Sequence, residues 1–391
     1  MVLDIDYGSA GTANCVLVPP YNYKKGKYNN NYVSKIANYT EDKKIIDNEI
    51  RISNYLKQNI SNNLIDKYFS IVINNHNLKK SKYKKLKKCN LKSNTDYKIL
   101  YSKNVGCKPI TKHSKIFIKN NNIHKIRVNN IKETKIISKK KIYNSKQIVR
   151  TCGDLIQELV QKKTFSEKMR VKSIKILIKS MKILHNNNLI HFDIKLDNII
   201  YDNNKLRLID FGGSILLHDF NNINLNNDFN VLIDEIYNKL FSWTTDYISP
   251  EILIILEFKK NPFINQDEMI YKIKKIIENS INERLNKKYY LELTQLIEYI
   301  YDNKLKFIKE LFKNGYKSYI FKTDIYSMGI SIYILLKYLN NDTKFTLKSH
   351  RFNKYKKIKM HKIMKLLYNM TIIDYRNRYN INDCIQYLSF I

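Results

Sequence analysis

Eight consecutive residues, His191-Phe192-Asp193-Ile194-Lys195-Leu196-Asp197-Asn198, bring a carboxylate, an amine and a carboxamide close together in the chain. Ile209-Asp210-Phe211-Gly212 follows shortly after. Carboxylate and amide oxygens are hard donors suited to Mg²⁺, which makes Asn198 and Asp210 candidate metal ligands. Between the two clusters, Ile199-Ile200-Tyr201, the turn Asp202-Asn203-Asn204 and Leu206-Arg207-Leu208-Ile209 read as a short β-hairpin. A hairpin can bring its flanking loops together, so Asp193 and Asp210 can face one phosphate-sized site. Three residues such as D-F-G recur by chance. The octad, the hairpin and the D-F-G in this order are far more specific, and they outweigh the bland reading of loop residues in an Asn- and Lys-rich chain.

The element that must carry the octad lies upstream. Val171, Ile174, Ile178 and Met181, with Leu177 and Leu184 beside them, fall at helical spacing. The pattern predicts a helix over Phe165 to His185, with Ser166 as its N-cap and Asn186-Asn187-Asn188 as its end.

The motifs H-x-D-x-K-x-x-N and D-F-G resemble those of serine/threonine protein kinases, and the resemblance runs with gaps from about Gly8 to Arg378. It implies a two-lobed α+β fold: a small β-rich lobe over residues 1–150 and a larger, mainly helical lobe over 151–391. It also implies transfer of the γ-phosphate of ATP, with Mg²⁺, to serine or threonine hydroxyls of protein substrates. Asp193 would then accept the hydroxyl proton, Lys195 would reach the transferred phosphate, and Asn198 and Asp210 would hold the metal. Thr244-Thr245-Asp246-Tyr247-Ile248-Ser249-Pro250-Glu251 is similar to the family's T-P-x-Y-x-A-P-E, with Thr245 and Ser249 as departures. Thr244 and Lys195 together argue against tyrosine specificity. Asp324-Ile325-Tyr326-Ser327-Met328-Gly329 is similar to D-x-W-S-x-G, whose Asp accepts from the catalytic-loop backbone. Asp374 to Arg378 is similar to D-P-x-x-R, so Arg378 is expected to pair with Glu251. Phe192 stands where many kinases keep an Arg that binds an activation-loop phosphate, which implies activity without that phosphate.

The amino-terminal match is weaker. Gly8 to Val16 resembles a glycine-rich nucleotide loop in which only Gly11 of three glycines remains; Ser9 and Asn14 replace the others. Asn tolerates positive φ better than most residues. Gly11 and Val16 are therefore the ATP-binding candidates here, with an ordinary turn as the alternative. Val33-Ser34-Lys35-Ile36 is a short alternating strand whose Lys35 would contact the α and β phosphates. Glu49, in a helical pattern, is its expected partner; Lys24, Lys25, Lys27 and Glu41 are rivals. Thr151-Cys152-Gly153-Asp154-Leu155 resembles the start of the larger lobe, which places the adenine-reading hinge at Val149 to Cys152.

The formal charge is +35, and Lys, Asn, Ile and Tyr dominate while Ala occurs only at 10, 13 and 37. Codons rich in A and T account for most of this bias. A charge this large still raises nonspecific affinity for nucleic acid or acidic partners. Its densest stretches, 78–92 and 111–141, are read as parts of a basic insertion over about 74–140. A second insertion is expected over about 255–320, with Met269, Ile273, Ile276 and Ile277 on one helix face. The composition and both insertions resemble kinases of large cytoplasmic DNA viruses, implying a site of action in host cytoplasm or virion. The five cysteines are scattered and show no metal-ligand spacing, so free thiols in a reducing, cytoplasmic setting are expected. No signal peptide is evident, and the apolar run Ile252 to Leu256 is too short to span a bilayer. Two rival readings stay open: a pseudokinase scaffold, and a basic nucleic-acid-binding protein on a kinase-like scaffold.

Overall fold

The computed structural model describes residues 3–5, 13–18, 21, 32–89, 91–103, 114–119, 122–127, 167–202, 205–240, 247–281, 285–312, 319–340 and 358–390. The chain divides into two compact units. The first comprises Met1–Phe165 with Ile200–Lys205, and the second Ser166–Ile199 with Leu206–Ile391. The division thus falls at 165/166, against an expected 150/151.

In the first unit, short apolar stretches pair into a five-stranded sheet: β1 (Leu3–Ile5), β2 (Ala13–Val18), β3 (Tyr32–Asn38), β4 (Val72–Leu78) and β5 (Tyr97–Lys103). The strand order is β1-β2-β3-β5-β4, antiparallel throughout. Helix α1 (Lys43–Asn59) turns Ile46, Glu49, Ile52, Ser53 and Leu56 inward at three- and four-residue spacing. Ser53 Oγ accepts from the Val72 amide at 3.1 Å and ties the helix to β4. A short helix α2 (Asn62–Tyr68) follows, and β6 (Ser114–Lys119) and β7 (Asn122–Arg127) form a separate hairpin.

Two expectations fail in this unit. The stretch 74–140 does not begin as an insertion, because β4 and β5 belong to the central sheet and β5 pairs with β3 along its whole length. Between them Lys80–Cys89 forms 3₁₀ turns kinked at Leu86. Tyr83, Leu86 and Cys89 are buried there. Residues three apart eclipse in a 3₁₀ helix, so this lysine-rich run still has an apolar edge. Second, Cys15 and Cys89 are not free thiols: they form a disulfide across 74 residues, with Cα atoms 5.3 Å apart. Sequence spacing carries no signal for a pair joined by sheet folding. Cys384 is free and buried.

The second unit opens with α3 (Glu167–Asn186), close to the expected span; Ser166 lies outside the described residues. Along the chain then come β8 (Leu189–Ile190), β9 (Ile199–Asp202), β10 (Lys205–Leu208) and β11 (Ile215–Leu216), of which the hairpin residues Ile200–Lys205 group with the first unit. Helices follow as α4 (Phe229–Lys239), α5 (Pro250–Lys260), α6 (Gln266–Ile281), α7 (Lys287–Asp302), α8 (Lys304–Phe312), α9 (Phe321–Asn340), α10 (Ile358–Met370) and α11 (Ile381–Ser389). The stretch 255–320, read as an insertion with an amphipathic helix, is a packed helical layer of α6, α7 and α8. In α6, Met269, Ile273 and Ile277 are buried as expected, whereas Ile276 is only half-buried and Ile270 and Ile281 complete the inner face.

Helix α9 lies at the centre of the core, with Ile325, Tyr326, Met328 and Tyr333 buried. Gly329 lets it approach the end of α10: a Cβ there would sit 2.7 Å from Thr371 Cγ2 and 3.0 Å from Met370 Cβ. Among the described residues no helix is long and apolar enough to cross a membrane.

Candidate active site

The site in the second unit is assembled by strand pairing. β8 and β11 pair antiparallel, Ile190 opposite Ile215 and Leu189 opposite Leu216. The octad starts one residue after β8, and Asp210 to Ser214 precedes β11, so this two-residue ladder holds the two loops side by side. At the base of the β9–β10 hairpin the Ile209 amide donates to the Asn198 carbonyl at 3.0 Å. This bond brings Ile209, the residue before Asp210, against Asn198 across the hairpin base.

His191 adds a side-chain tie between the loops. Its Nε2 donates to the Ile209 carbonyl at 3.1 Å, and its Nδ1 accepts from the Asp193 amide at 3.3 Å. The two bonds are mutually consistent with a neutral ring protonated on Nε2. The ring packs on Phe211 with centroids 4.9 Å apart, and Ser214 Oγ donates to the His191 carbonyl at 3.1 Å. The sequence reading gave His191 no role; its position two residues before Asp193 was the only available cue.

Buried Asp324, on the first turn of α9, fixes the loop from below. Its Oδ2 accepts from the His191 amide at 2.8 Å and its Oδ1 from the Phe192 amide at 2.9 Å. Its Oδ2 also lies 3.2 Å from Nε2 of His185 at the end of α3. Phe192 has φ 64° and Asp210 φ 61°, left-handed conformations that cost a non-glycine residue stability unless surrounding bonds enforce them. For Phe192 the enforcing bond is the one to Asp324. Ser331 Oγ, also on α9, donates to the Ile194 carbonyl at 3.3 Å.

Two polar side chains of the octad converge on Asp193. Lys195 Nζ is 2.9 Å from Asp193 Oδ1, and Asn198 Nδ2 donates to Asp193 Oδ2 at 2.8 Å. The same amide nitrogen donates to the Asp193 carbonyl at 2.8 Å, which turns Asn198 Oδ1 away from the carboxylate. Asp193 is thus held at both oxygens, with its rotamer set by two donors.

In the first unit, Lys35 sits mid-strand on β3, opposite Val16 on β2 and Leu100 on β5. Its Nζ is 3.1 Å from Glu49 Oε2, and both side chains are largely buried. Glu41 lies instead in the turn before α1, its amide donating to Asn38 Oδ1 at 3.1 Å. Burial, and then Glu41, push the neighbouring Asp42 carboxyl up, with Lys35 opposing. Gly11, Val149, Cys152, Thr244, and the rival Lys24, Lys25 and Lys27 lie outside the described residues.

Farther from the reactive groups, Glu251 opens α5 and meets Arg378 as expected: Nη1 to Oε1 at 2.7 Å and Nη2 to Oε2 at 3.0 Å, with both side chains fully buried. This pair pins the chain after the D-F-G loop to the end of the core. A family model described as the protein kinase domain matches residues 71–267, half of the chain.

The chain belongs to the protein kinase family.

The match contains Asp193, Asn198, Asp210 and Glu251. It begins after Lys35 and Glu49, whose pairing rests on the geometry alone. Local similarity to individual kinases is moderate. The chain is 41% identical over 63 residues to the phosphorylase b kinase gamma catalytic chain, liver/testis isoform, of Bos taurus, covering 16% of each protein. It is 37% identical over 60 residues to an Acanthamoeba polyphaga mimivirus protein named as a candidate serine/threonine-protein kinase, covering 15% of this chain and 11% of that one. It is 37% identical over 78 residues to the serine/threonine-protein kinase PKH2 of Saccharomyces cerevisiae, covering 20% of this chain and 7% of that one. The matched stretches span less than a fifth of each of these relatives.

Proposed function

We propose that this kinase is catalytically active and transfers the γ-phosphate of ATP, with Mg²⁺, to serine or threonine hydroxyls of protein substrates. The observation that carries the reading is the arrangement around Asp193: Lys195 and Asn198 each hold one carboxylate oxygen, and Asp210 stands across the hairpin base.

The donor set fits Mg²⁺. Asn198 and Asp210 offer hard oxygens, and Mg²⁺ in phosphate-handling sites takes one or two protein ligands with phosphate and water completing its shell. When bound, the metal would neutralise phosphate charge and the nucleotide would supply the phosphoryl group. Asp193 would orient the incoming hydroxyl and take its proton. Lys195, already within 2.9 Å of Asp193, would offer its ammonium to the charge that develops between acceptor and donor. Lys35, fixed by Glu49, would position the α and β phosphates, with Gly11 and Val16 covering them and Val149 to Cys152 reading the adenine edge. Lys195 in the octad and Thr244 favour serine or threonine over tyrosine. The mimivirus relative and the Lys-, Ile- and Asn-rich composition support a viral enzyme acting in host cytoplasm or virion.

The test is transfer of labelled phosphate from ATP to a casein-like protein, comparing the wild-type protein with Asp193→Asn. General-base contributions are typically worth 10²–10⁴-fold, so the variant is expected to lose at least about 100-fold. A wild-type protein that binds ATP but transfers nothing would instead make this a pseudokinase scaffold.

A further inference from the structure

Helix α3 carries Lys172, Lys175, Lys179 and Lys182 at spacings of three, four and three. At about 100° per residue these four fall within an arc of about 80°, and at 1.5 Å per residue they form a line about 15 Å long. All four are exposed or half-exposed, while Ile174, Leu177, Ile178, Met181 and Leu184 bury the opposite face. None of the four forms an ion pair or hydrogen bond with a described residue.

What sets this line apart is its four-lysine register on one face. Several lysines elsewhere in this unit meet acids, although α10, with Lys359, Lys362 and Lys365, also lacks them. On α6, Lys272 meets Glu268 at 2.8 Å and Glu257 at 3.7 Å; on α5, Lys259 meets Asp234 at 2.7 Å. Helix α3 has no acidic residue after Glu167. Helix α11, which packs along α3, offers Asp383, but that carboxylate is committed to the Asn380 amide at 2.8 Å. Like charges three and four residues apart on a helix repel by roughly 0.2–0.5 kcal/mol per pair, a repulsion that a polyanion laid along the line would relieve.

We infer that the α3 lysine line is a binding surface for the phosphate backbone of duplex nucleic acid. One strand of duplex DNA presents a phosphate about every 3.4 Å of axis, so a line about 15 Å long faces roughly four phosphates. No large apolar side chain is exposed on α3 among the described residues, which removes the insertion that membrane binding uses and the anchors that a protein partner would fill. Lysines act as flexible point charges and carry no base readout, so the surface is sequence-independent.

The experiment is fluorescence anisotropy of a labelled 20-base-pair duplex of arbitrary sequence, titrated with full-length protein between 50 and 200 mM KCl. One variant neutralises the line (Lys172→Gln, Lys175→Gln, Lys179→Gln and Lys182→Gln). A control removes the same charge from the outer helices (Lys275→Gln, Lys287→Gln, Lys306→Gln and Lys309→Gln). The line variant is expected to lower the slope of log K against log salt by about three to four, and affinity at 100 mM at least tenfold, with a much smaller loss in the control. Replacing the same four by Arg should retain binding. Two half-variants, Lys172/Lys179 and Lys175/Lys182, should each give about half the slope change, and they carry the test should the quadruple variant misfold. Equal losses in line and control variants would reduce the effect to diffuse charge and overturn the proposal. So would tighter binding of the line to poly-glutamate or to phosphatidylserine vesicles than to the duplex.

Discussion

Replacing Arg378 by Met should destabilise the second unit more than any surface change. All five guanidinium hydrogens are used: Nη1 and Nη2 bind Glu251, Nε donates to the Ile372 carbonyl at 2.8 Å, and Nη1 and Nη2 also reach the Lys322 and Ile373 carbonyls at 3.0 Å each. The guanidinium also lies 4.9 Å from the centroid of the Tyr326 ring. Met keeps much of the volume but leaves the Glu251 carboxylate buried without its counter-charge, a loss of roughly 3–5 kcal/mol. For a unit of this size each kcal/mol moves the melting temperature by about 2–4 °C, so the expected fall is roughly 6–20 °C. Thermal unfolding followed by circular dichroism reads it directly. The double variant Glu251→Leu/Arg378→Met should recover part of the loss, because replacing both members of a buried pair by apolar groups is far less costly than breaking it. A fall below about 2 °C in the single variant, or a double variant less stable than the single, would refute the electrostatic account.

Three further outcomes follow from the same geometry. Lys35→Met should lower phosphoryl transfer by orders of magnitude while Lys24→Met leaves it near wild type; steady-state rates showing the reverse would move the phosphate-binding lysine to another strand. Burial, and then Arg378, lower the Lys322 ammonium to about 8. The unfolded chain therefore holds more protons than the folded one between about pH 8 and 10, and stability should rise with pH across that window; denaturant melts of Lys322→Met should show a flatter profile there, and parallel profiles would exclude the effect. Activity should survive phosphatase treatment that leaves Ser242, Thr244 and Thr245 unmodified by mass spectrometry, because α4 buries Leu232, Ile233 and Ile236 within the segment and Phe229 packs edge-on to Phe258 at 5.0 Å; a rate that collapsed and returned on rephosphorylation would show that a phosphate is needed after all.

The clustering of polar residues was legible in the sequence wherever it is local. Asp193, Lys195 and Asn198 lie within six residues, and the hairpin between Asn198 and Asp210 reads directly from its apolar runs and Asn-rich turn. Glu251 and Arg378 were legible through motif order despite a sequence separation of 127. The small sheet was harder. β4 reads Val-Ile-Asn-Asn-His-Asn-Leu, only its two end residues being buried, so it lacks strand-like alternation and most of it was read as the start of an insertion in the small lobe. The segment after it, Lys80–Cys89, is charged enough to look solvated, yet its three-residue spacing buries one edge. The Cys15–Cys89 disulfide depends on that fold and could not precede it. His191 was visible but not interpretable, because its role lies in bonds to two separate loops.

The central claim is that the octad and the D-F-G loop form one phosphoryl-transfer site around a metal held by Asn198 and Asp210. The most direct test is the turnover of Asp210→Asn on a serine-containing protein acceptor at saturating ATP and Mg²⁺, with folding checked by circular dichroism. The change removes one charge at nearly constant volume. A folded variant whose transfer falls by at least about 100-fold, with melting temperature unchanged, is the expected result. A folded variant that keeps near wild-type turnover would contradict the account.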